Sequence, residues 1–170
     1  MGHINLSVDT VVFAYEASEL YILVIKRKNE PFKNKWALPG GFVETDETVE
    51  EAAQRELEEE TGLALDGLEQ VHTFSAVHRD PRKRVVSVAH YVLTQKAGKE
   101  VKPGDDAADA QWFPIHDLPE LAFDHDEIIR MAIEKLGQKL KNKLIGLVDG
   151  LSTAELDEVR SILKETNPNV

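Results

Sequence analysis

Residues 41–63 read GFVETDETVEEAAQRELEEETGL, and the interpretation of the whole chain starts from them. The Pro-Gly-Gly run at residues 39–41 is a turn signal, and Thr45 or Asp46 is suited to cap the first turn of a helix. Gly62 is suited to end that helix in a left-handed conformation. The segment therefore predicts a loop that runs into one acidic helix.

Three carboxylates of this predicted helix lie close to its apolar face. At about 100° per residue, four apolar side chains form one stripe directed at the core: Val49, Ala52, Ala53 and Leu57. Glu56 and Glu60 fall within this stripe, and Glu59 lies on its edge. A buried carboxylate costs several kcal/mol unless it is paired or protonated. These glutamates therefore need a partner.

Arg55 is one partner, because it adjoins Glu56 and precedes Glu59 by one turn. One arginine cannot neutralise three glutamates, so a hard divalent cation such as Mg²⁺, which prefers oxygen ligands, would complete the charge balance. The alternative is a surface helix rich in glutamate that binds no metal. The helical wheel alone leaves both interpretations open.

The spacing of the fixed residues resembles the Nudix box of the Nudix hydrolase superfamily. The matching pattern is Gly41, five residues, Glu47, seven residues, Arg55-Glu56-Leu57, one residue, Glu59-Glu60, one residue, Gly62-Leu63. The resemblance implies an enzyme that cleaves a nucleoside diphosphate linked to another moiety, with Mg²⁺ or Mn²⁺ and an attacking water. It also implies an α/β (α+β) fold, the Nudix α/β/α sandwich with a mixed β-sheet. The main alternative fold is a doubly wound parallel sheet.

The same resemblance implies roles for individual residues. It assigns four metal ligands: the Gly41 carbonyl, Glu56, Glu59 and Glu60. Arg55 acts with them in catalysis, and Arg55 and Glu47 orient the set. The general base is Glu59 or a carboxylate of residues 98–109, because Nudix enzymes differ in where the base lies. A metal that clamps diphosphate oxygens and lowers the pKa of water suits this chemistry.

Two basic segments, residues 27–35 and 78–84, are candidates to meet a substrate phosphate. They supply five candidate ligands: Arg27, Lys35, Arg79, Arg82 and Arg84. Guanidinium groups suit a diphosphate because they make forked contacts to its oxygens. The alternative is ordinary surface charge on a loop and a hairpin tip. An adenine would stack on Phe13, Phe42 or Phe74, unless these phenylalanines belong to the core.

The amino-acid composition of the chain argues against several classes of function. The chain has 170 residues, 42% of them hydrophobic, and a formal charge of −11. The negative charge argues against general affinity for nucleic acid or for an anionic membrane. The absence of cysteine excludes a thiol nucleophile and a thiolate metal site. Since no long apolar run or signal-peptide pattern is present, we expect a cytoplasmic protein.

The remaining pattern predicts one domain with a helical end. Strands are expected at residues 4–15, 20–26, 36–43, 68–75, 85–94 and 110–113, and a helix from residue 124. Ser152-Thr153-Ala154-Glu155 is a capping-box pattern that opens a last helix. We expect a Nudix domain at residues 1–144 and a C-terminal helical extension at residues 145–170. The last helix could be a remnant of a fused domain or a dimer contact.

Residues 36–144 resemble one subgroup, which contains ADP-ribose pyrophosphatases and Nudix-related regulators of NAD metabolism. The residues that carry this resemblance include 78–88 and 121–125. The regulators have a winged-helix domain after the Nudix domain and often a degraded box. Here the box is complete, and only about 30 residues follow Leu140.

The expected reaction is Mg²⁺-dependent hydrolysis of ADP-ribose to AMP and ribose 5-phosphate. One alternative is a non-catalytic ADP-ribose-sensing regulator or interaction module. Another is hydrolysis of 8-oxo-dGTP, NADH or a nucleotide sugar. We also expect a homodimer that binds neither nucleic acid nor membrane.

Overall fold

Residues 3–104, 107–141 and 151–167 are described by a computed structural model, in which strands dominate the first two thirds of the chain. The elements in chain order are β1 (Asn5–Glu16), β2 (Glu19–Arg27), β3 (Trp36–Ala37), β4 (Gly40–Phe42), α1 (Val49–Thr61), β5 (Glu69–Phe74), β6 (Val85–Gln95), β7 (Ala107–Pro114), α2 (His125–Lys141) and α3 (Thr153–Thr166). No helix in these three stretches is long and apolar enough to cross a membrane.

The strands form one mixed sheet with the path β3-β2-β1-β6-β5, to which β4 adds by pairing with β1 and β7 by pairing with β2. β1 and β6 are parallel, and the other pairs are antiparallel. The predicted mixed sheet is therefore confirmed. The doubly wound parallel alternative is wrong, because most neighbouring strands run in opposite directions.

Helices cover both faces of this sheet. Successive side chains of a strand point to opposite faces, and β1 is apolar on both. Val11 and Phe13 pack in the core cluster that contains the buried side chains of α2 and α3. Val8 and Val12 pack in the two clusters on the side of α1. This arrangement is the predicted α/β/α sandwich.

The last helix belongs to the same core. Ser152 caps α3 through the predicted capping box, and three apolar side chains of α3 are buried against the sheet: Leu156, Val159 and Leu163. The Tyr15 hydroxyl and the Ser18 hydroxyl both donate to the Glu158 carboxylate. The apolar face of α3 is thus covered by the chain's own strands and by α2, and the role of this helix as a domain remnant or a dimer contact stays a prediction. The expected boundary at residue 144 lies outside the described residues.

Two local predictions need correction. Helix α1 is capped by Thr48 instead of Thr45 or Asp46, because Thr48 and Glu51 form a reciprocal capping box. Upstream, the Glu44 N–H donates to Glu47 at 2.8 Å, which keeps that turn out of the helix. The single strand expected at residues 36–43 is divided into β3 and β4. The left-handed cap at Gly62 is confirmed, with φ of 72°.

His90 on β6 generates a pH prediction. Its side chain is buried, and neither ring nitrogen makes a hydrogen bond of normal geometry to another described residue. Burial lowers the pKa of His90, and the charge of Glu50 opposes that shift only in part. An unfolded histidine binds its proton near pH 6.5. Stability from neutral His90 is therefore present above that pH and is lost as the pH falls.

We expect His90→Leu to flatten the acid side of the stability profile. Between about pH 7 and pH 5 the free energy of unfolding should fall less steeply than in the wild type, by up to about 1.4 kcal/mol per pH unit. Urea unfolding at a series of pH values measures this slope. His116→Leu, at an exposed position, is the control and should leave the slope unchanged. Equal slopes for His90→Leu and the wild type would contradict the prediction.

Candidate active site

Arg55 is the centre of the hydrogen-bond network on α1. Its Nε and Nη2 donate to the two carboxylate oxygens of Glu47, at 2.9 and 2.7 Å. Its Nη1 donates to Glu56 Oε1 at 2.9 Å and to Glu59 Oε2 at 3.2 Å. Its Nη2 also donates to the Phe42 carbonyl at 3.2 Å. One guanidinium thus joins the helix to the loop before it.

The pair of Arg55 and Glu47 is held in its charged form. The hydrogen bonds from Arg55 lower the pKa of Glu47 to about 2. The Glu47 carboxylate, followed by Glu56, raises the pKa of Arg55. Forked contacts between a guanidinium and a carboxylate are geometrically specific, so Glu47 fixes the orientation in which Arg55 meets the other two glutamates.

Glu56 and Glu60 lie on the inward side of α1, and Glu59 lies on the outward edge. The Glu56 side chain is 15% exposed, whereas that of Glu59 is 61% exposed. Burial raises the pKa of Glu60 to about 8, even though the Gly40 N–H donates to its Oε2 at 2.9 Å. Burial also raises the pKa of Glu56. The hydrogen bonds to these two carboxylates therefore offset the cost of their burial only in part.

Gly41 lets the loop backbone approach this cluster. A Cβ at position 41 would lie 2.2 Å from Glu56 Oε1, well inside contact distance. Any larger residue would displace either the carboxylate or β4. The glycine at the start of the box is thus explained by close approach between the backbone and Glu56.

The donor set fits a hard divalent cation. Three carboxylates and a nearby backbone carbonyl are oxygen ligands of the kind that Mg²⁺ prefers. Burial raises the pKa of Glu56 and of Glu60, and a cation beside them would offset the cost of burying their negative charge. In residues 3–104, 107–141 and 151–167, no three acidic or histidine side chains already converge as a metal cluster. Glu56 and Glu59 are turned towards Arg55, and Glu60 is turned towards Gly40.

A pocket of about 150 Å³ opens beside the two glycines that touch the helix carboxylates. Its lining residues are Ser7, Val8, Asp9, Ile25, Arg27, Leu38, Gly40, Gly41, Phe42, Arg79, Asp80, Arg82, Val85, Phe123 and His125. They come from β1, β2, β4 and β6, from the link between β3 and β4, from the loops before β6 and α2, and from the first residue of α2. The pocket thus adjoins the box and is lined by charged and aromatic groups.

Three of the five basic residues predicted to bind substrate line this pocket: Arg27, Arg79 and Arg82. Lys35 and Arg84 are not among the lining residues. Lys35 pairs with Glu120 at the surface, and Arg84 donates to the carbonyls of Ala76 and Val85. The role of each in substrate binding stays a prediction.

Arg27 and Arg82 give the pocket a positive wall. Burial lowers the pKa of Arg27, and the charge of Arg82 lowers it further. The Arg27 guanidinium lies 4.9 Å from the centre of the Phe123 ring, and that of Arg82 lies 5.9 Å from the same ring. Asp80 holds Arg82 through a forked pair. Two cations that repel each other in this way favour an anion between them.

Several residues of the pocket were not predicted from the sequence. Asp9 is a charged residue within the strand pattern of β1, between Val8 and Thr10, and this acidic interruption was the available signal. Phe123 and His125 belong to residues 121–125, which resemble the ADP-ribose pyrophosphatase subgroup, but the sequence assigned neither of them a role. Of the aromatic candidates for adenine, Phe13 and Phe74 are buried in the core. Phe42 lines the pocket and is 38% exposed.

The loop proposed as an alternative source of the general base runs along the end of α1. The Lys102 N–H donates to the Thr61 carbonyl at 2.9 Å, and the Gly104 N–H donates to the Glu60 carbonyl at 3.1 Å. Asp105 and Asp106 lie outside the described residues. Asp109 stands on β7, where Gln111 Nε2 donates to it at 2.6 Å.

Gly41→Ala is expected to weaken Mn²⁺ binding tenfold or more, a loss of about 1.4 kcal/mol, because the added Cβ displaces Glu56. Titration of free Mn²⁺ by electron paramagnetic resonance measures the affinity. Gln54→Ala, at an exposed position of α1, is the control and should bind Mn²⁺ with wild-type affinity. An unchanged affinity for Gly41→Ala would show that the position of Glu56 does not matter for the ion.

Similarity to known proteins agrees with this geometry. The chain is 51% identical over 109 residues to the ADP-ribose pyrophosphatase of Methanocaldococcus jannaschii, a match covering 64% of this chain and 63% of that protein. It is 34% identical over 140 residues to the ADPR responsive transcriptional repressor NtrR of Acinetobacter baylyi, covering 80% of this chain and 56% of that protein. The chain thus spans less than two thirds of the length of these curated relatives.

Among solved structures, the NUDIX domain of Shewanella oneidensis NrtR complexed with ADP ribose superposes with a TM-score of 0.75 at 33% identity. That match covers 80% of this chain and 90% of the other. The family model for the NUDIX domain matches residues 5–132, which is most of the chain and includes both α1 and the pocket. The chain therefore belongs to the NUDIX family, as the spacing of its box predicts.

Proposed function

We propose that this protein hydrolyses ADP-ribose to AMP and ribose 5-phosphate with Mg²⁺, or Mn²⁺, as cofactor. The observation that carries the proposal is the shared wall between pocket and box. Gly40 and Gly41 line the pocket and also lie against Glu60 and Glu56. A diphosphate bound in the pocket would therefore meet the carboxylates of α1.

Charge and shape support ADP-ribose as the substrate. Arg27 and Arg82 offer forked donors for phosphate or hydroxyl oxygens, and Phe42 and Phe123 offer apolar faces for a base or a ribose. The chain is similar to a pyrophosphatase of ADP-ribose and to a NUDIX domain bound to that compound. These similarities favour ADP-ribose over 8-oxo-dGTP, NADH and nucleotide sugars.

The proposed mechanism assigns distinct tasks to the residues of the box. Glu56, Glu59, Glu60 and the Gly41 carbonyl would hold the metal, which supplies charge neutralisation and a water of lowered pKa. Arg55, fixed by Glu47, orients Glu56 and Glu59. Water adds to one phosphorus, the bond from that phosphorus to the bridging oxygen breaks, and the bridging oxygen leaves with the other phosphate. Glu59 or a carboxylate of residues 98–109 takes the proton from water.

The similarity to a repressor favours one second candidate, an ADP-ribose sensor without catalysis. The sensor would use the same pocket but would not need the complete set of glutamates that this chain retains. We retain the enzyme as the main proposal for that reason. The homodimer, the lack of nucleic-acid binding and the cytoplasmic location stay predictions.

A substrate panel tests the proposal directly. We expect kcat/KM for ADP-ribose to exceed that for 8-oxo-dGTP, NADH and a nucleotide sugar by tenfold or more, about 1.4 kcal/mol of transition-state discrimination. Phosphate and nucleotide products are separated by chromatography with Mg²⁺ or Mn²⁺ present. A tenfold preference for another compound would overturn the substrate and leave the assignment of the box intact.

Glu60→Gln is expected to lower kcat by about 10²-fold or more, because it replaces an anionic carboxylate ligand of the metal with a neutral amide. Glu58→Gln, exposed on the same helix, is the matched control and should retain the wild-type rate. Excess EDTA should abolish the activity of the wild type. Full activity of the wild type in excess EDTA would overturn the metal mechanism.

A further inference from the structure

Arg79 was predicted to bind substrate, but its guanidinium is occupied by the protein itself. Its side chain is only 5% exposed. Its Nε and Nη2 donate to the two oxygens of Asp124, at 2.9 and 2.7 Å, and Nη2 also reaches Asp9 Oδ2 at 3.4 Å. By contrast, the side chain of Arg82 is 40% exposed. The two arginines therefore differ in their freedom to meet a ligand.

Asp9 connects this ion cluster to the floor of the pocket. It accepts a hydrogen bond from the Ser87 hydroxyl at 2.5 Å, across the parallel pair of β1 and β6. Its Oδ1 lies 3.4 Å from Nε2 of His125. His125 Nδ1 accepts from the Leu38 N–H at 2.8 Å, so the neutral ring carries its proton on Nε2, facing Asp9.

The segment around Phe123 is held from two sides. On one side, the Ala122 N–H donates to the Trp36 carbonyl at 2.8 Å, and His125 binds Leu38 as described. On the other side, the forked pair with Arg79 holds Asp124. Phe123 lies between these attachments with φ of 57°, a conformation that a bulky residue adopts only when its surroundings enforce it.

The position of Phe123 determines the shape of the pocket wall. Its ring contacts Phe32 edge to face, with 4.8 Å between ring centres, and lies against Arg27. A shift of Phe123 would change the space between the two proposed substrate ligands, Arg27 and Arg82. It would leave the carboxylates of α1 in place, because Phe123 is not among their hydrogen-bond partners.

We propose that Arg79 is a positioning residue, which acts through Asp124 to hold Phe123 in the pocket wall and so sets the affinity for substrate. The inference rests on the proposed function and deepens it. It replaces the prediction that Arg79 contacts the substrate. Because neither Arg79 nor Asp124 is a hydrogen-bond partner of the α1 carboxylates, loss of the pair between Arg79 and Asp124 should raise KM and leave the hydrolytic step largely intact.

Asp124→Asn separates positioning from direct binding. The variant keeps the charge of Arg79 in the pocket but weakens the forked pair. We expect KM for ADP-ribose to rise about tenfold, the value of one or two charge-assisted hydrogen bonds, with kcat within about threefold of the wild type. A direct ligand would be freed by this change, so an unchanged or lower KM overturns the proposal.

Two further variants strengthen the test. Arg79→Lys keeps the charge but cannot make the fork, and it should raise KM as Asp124→Asn does even if Asp124→Asn folds poorly. Arg130→Met is the control, because Arg130 pairs only with Glu127 and Glu134 among the described residues, on the exposed side of α2. This control variant should leave both KM and kcat at wild-type values. Circular dichroism checks the fold of each variant.

Substitution of Arg79 in a Phe123→Ala background tests whether Arg79 changes KM through Phe123. If Arg79 acts through Phe123, Arg79→Lys should change KM by less than about twofold in that background, since coupled residues are not additive. A further tenfold rise in that background would mean that Arg79 reaches the substrate by another route, and would overturn the proposal.

Calorimetric binding of ADP-ribose in EDTA distinguishes this inference from the proposed function. A wild type that binds ADP-ribose but does not hydrolyse it overturns the proposed hydrolysis alone, and Asp124→Asn should still bind about tenfold more weakly. A wild type that neither binds ADP-ribose in EDTA nor hydrolyses it with Mg²⁺ or Mn²⁺ overturns both. Equal affinity of the wild type and Asp124→Asn overturns the positioning role alone.

Discussion

The ion pairs of Arg55 are the constraint on which the active-site region depends. Glu56 and Glu60 lie on the inward side of α1, where each adds negative charge to a partly desolvated space, and Glu59 lies at the exposed edge beside them. Arg55 meets two of these three glutamates and is itself fixed by Glu47. Without this guanidinium, repulsion between the carboxylates would favour their rotation into solvent. The excess negative charge that remains is what suits the region to a cation.

Strand β1 connects the region around Arg55 to the rest of the fold. It pairs with β2, β4 and β6, and it is covered by α1 on one face and by α2 and α3 on the other. Because β4 is held against β1, Gly40 and Gly41 have a fixed distance to Glu60 and Glu56. The position of the box therefore depends on a strand that contains none of its residues.

Sequence periodicity was enough for α1 because the information there is local. Glu56, Glu59 and Glu60 lie within one and a half turns, and a helical wheel relates them directly. The pocket was not accessible in this way. Arg79 and Asp124 are separated by 45 positions and Ser87 and Asp9 by 78, and nothing local indicates that they meet. The cap at Thr48 was missed because Thr45, Asp46 and Thr48 all suit that position, and only the turn at Glu47 decides among them.

The contrast between net charge and local charge explains how an acidic protein can bind a diphosphate. The chain carries a formal charge of −11, but Arg27 and Arg82 approach closely enough that one lowers the pKa of the other. Asp80 and Asp124 hold two neighbouring arginines, Arg82 and Arg79, and so fix where the positive groups stand. The acidic residues near the pocket therefore do not simply cancel its cations. They orient them, and they leave the exposed guanidinium of Arg82 and the half-buried one of Arg27 as the groups that a phosphate can reach.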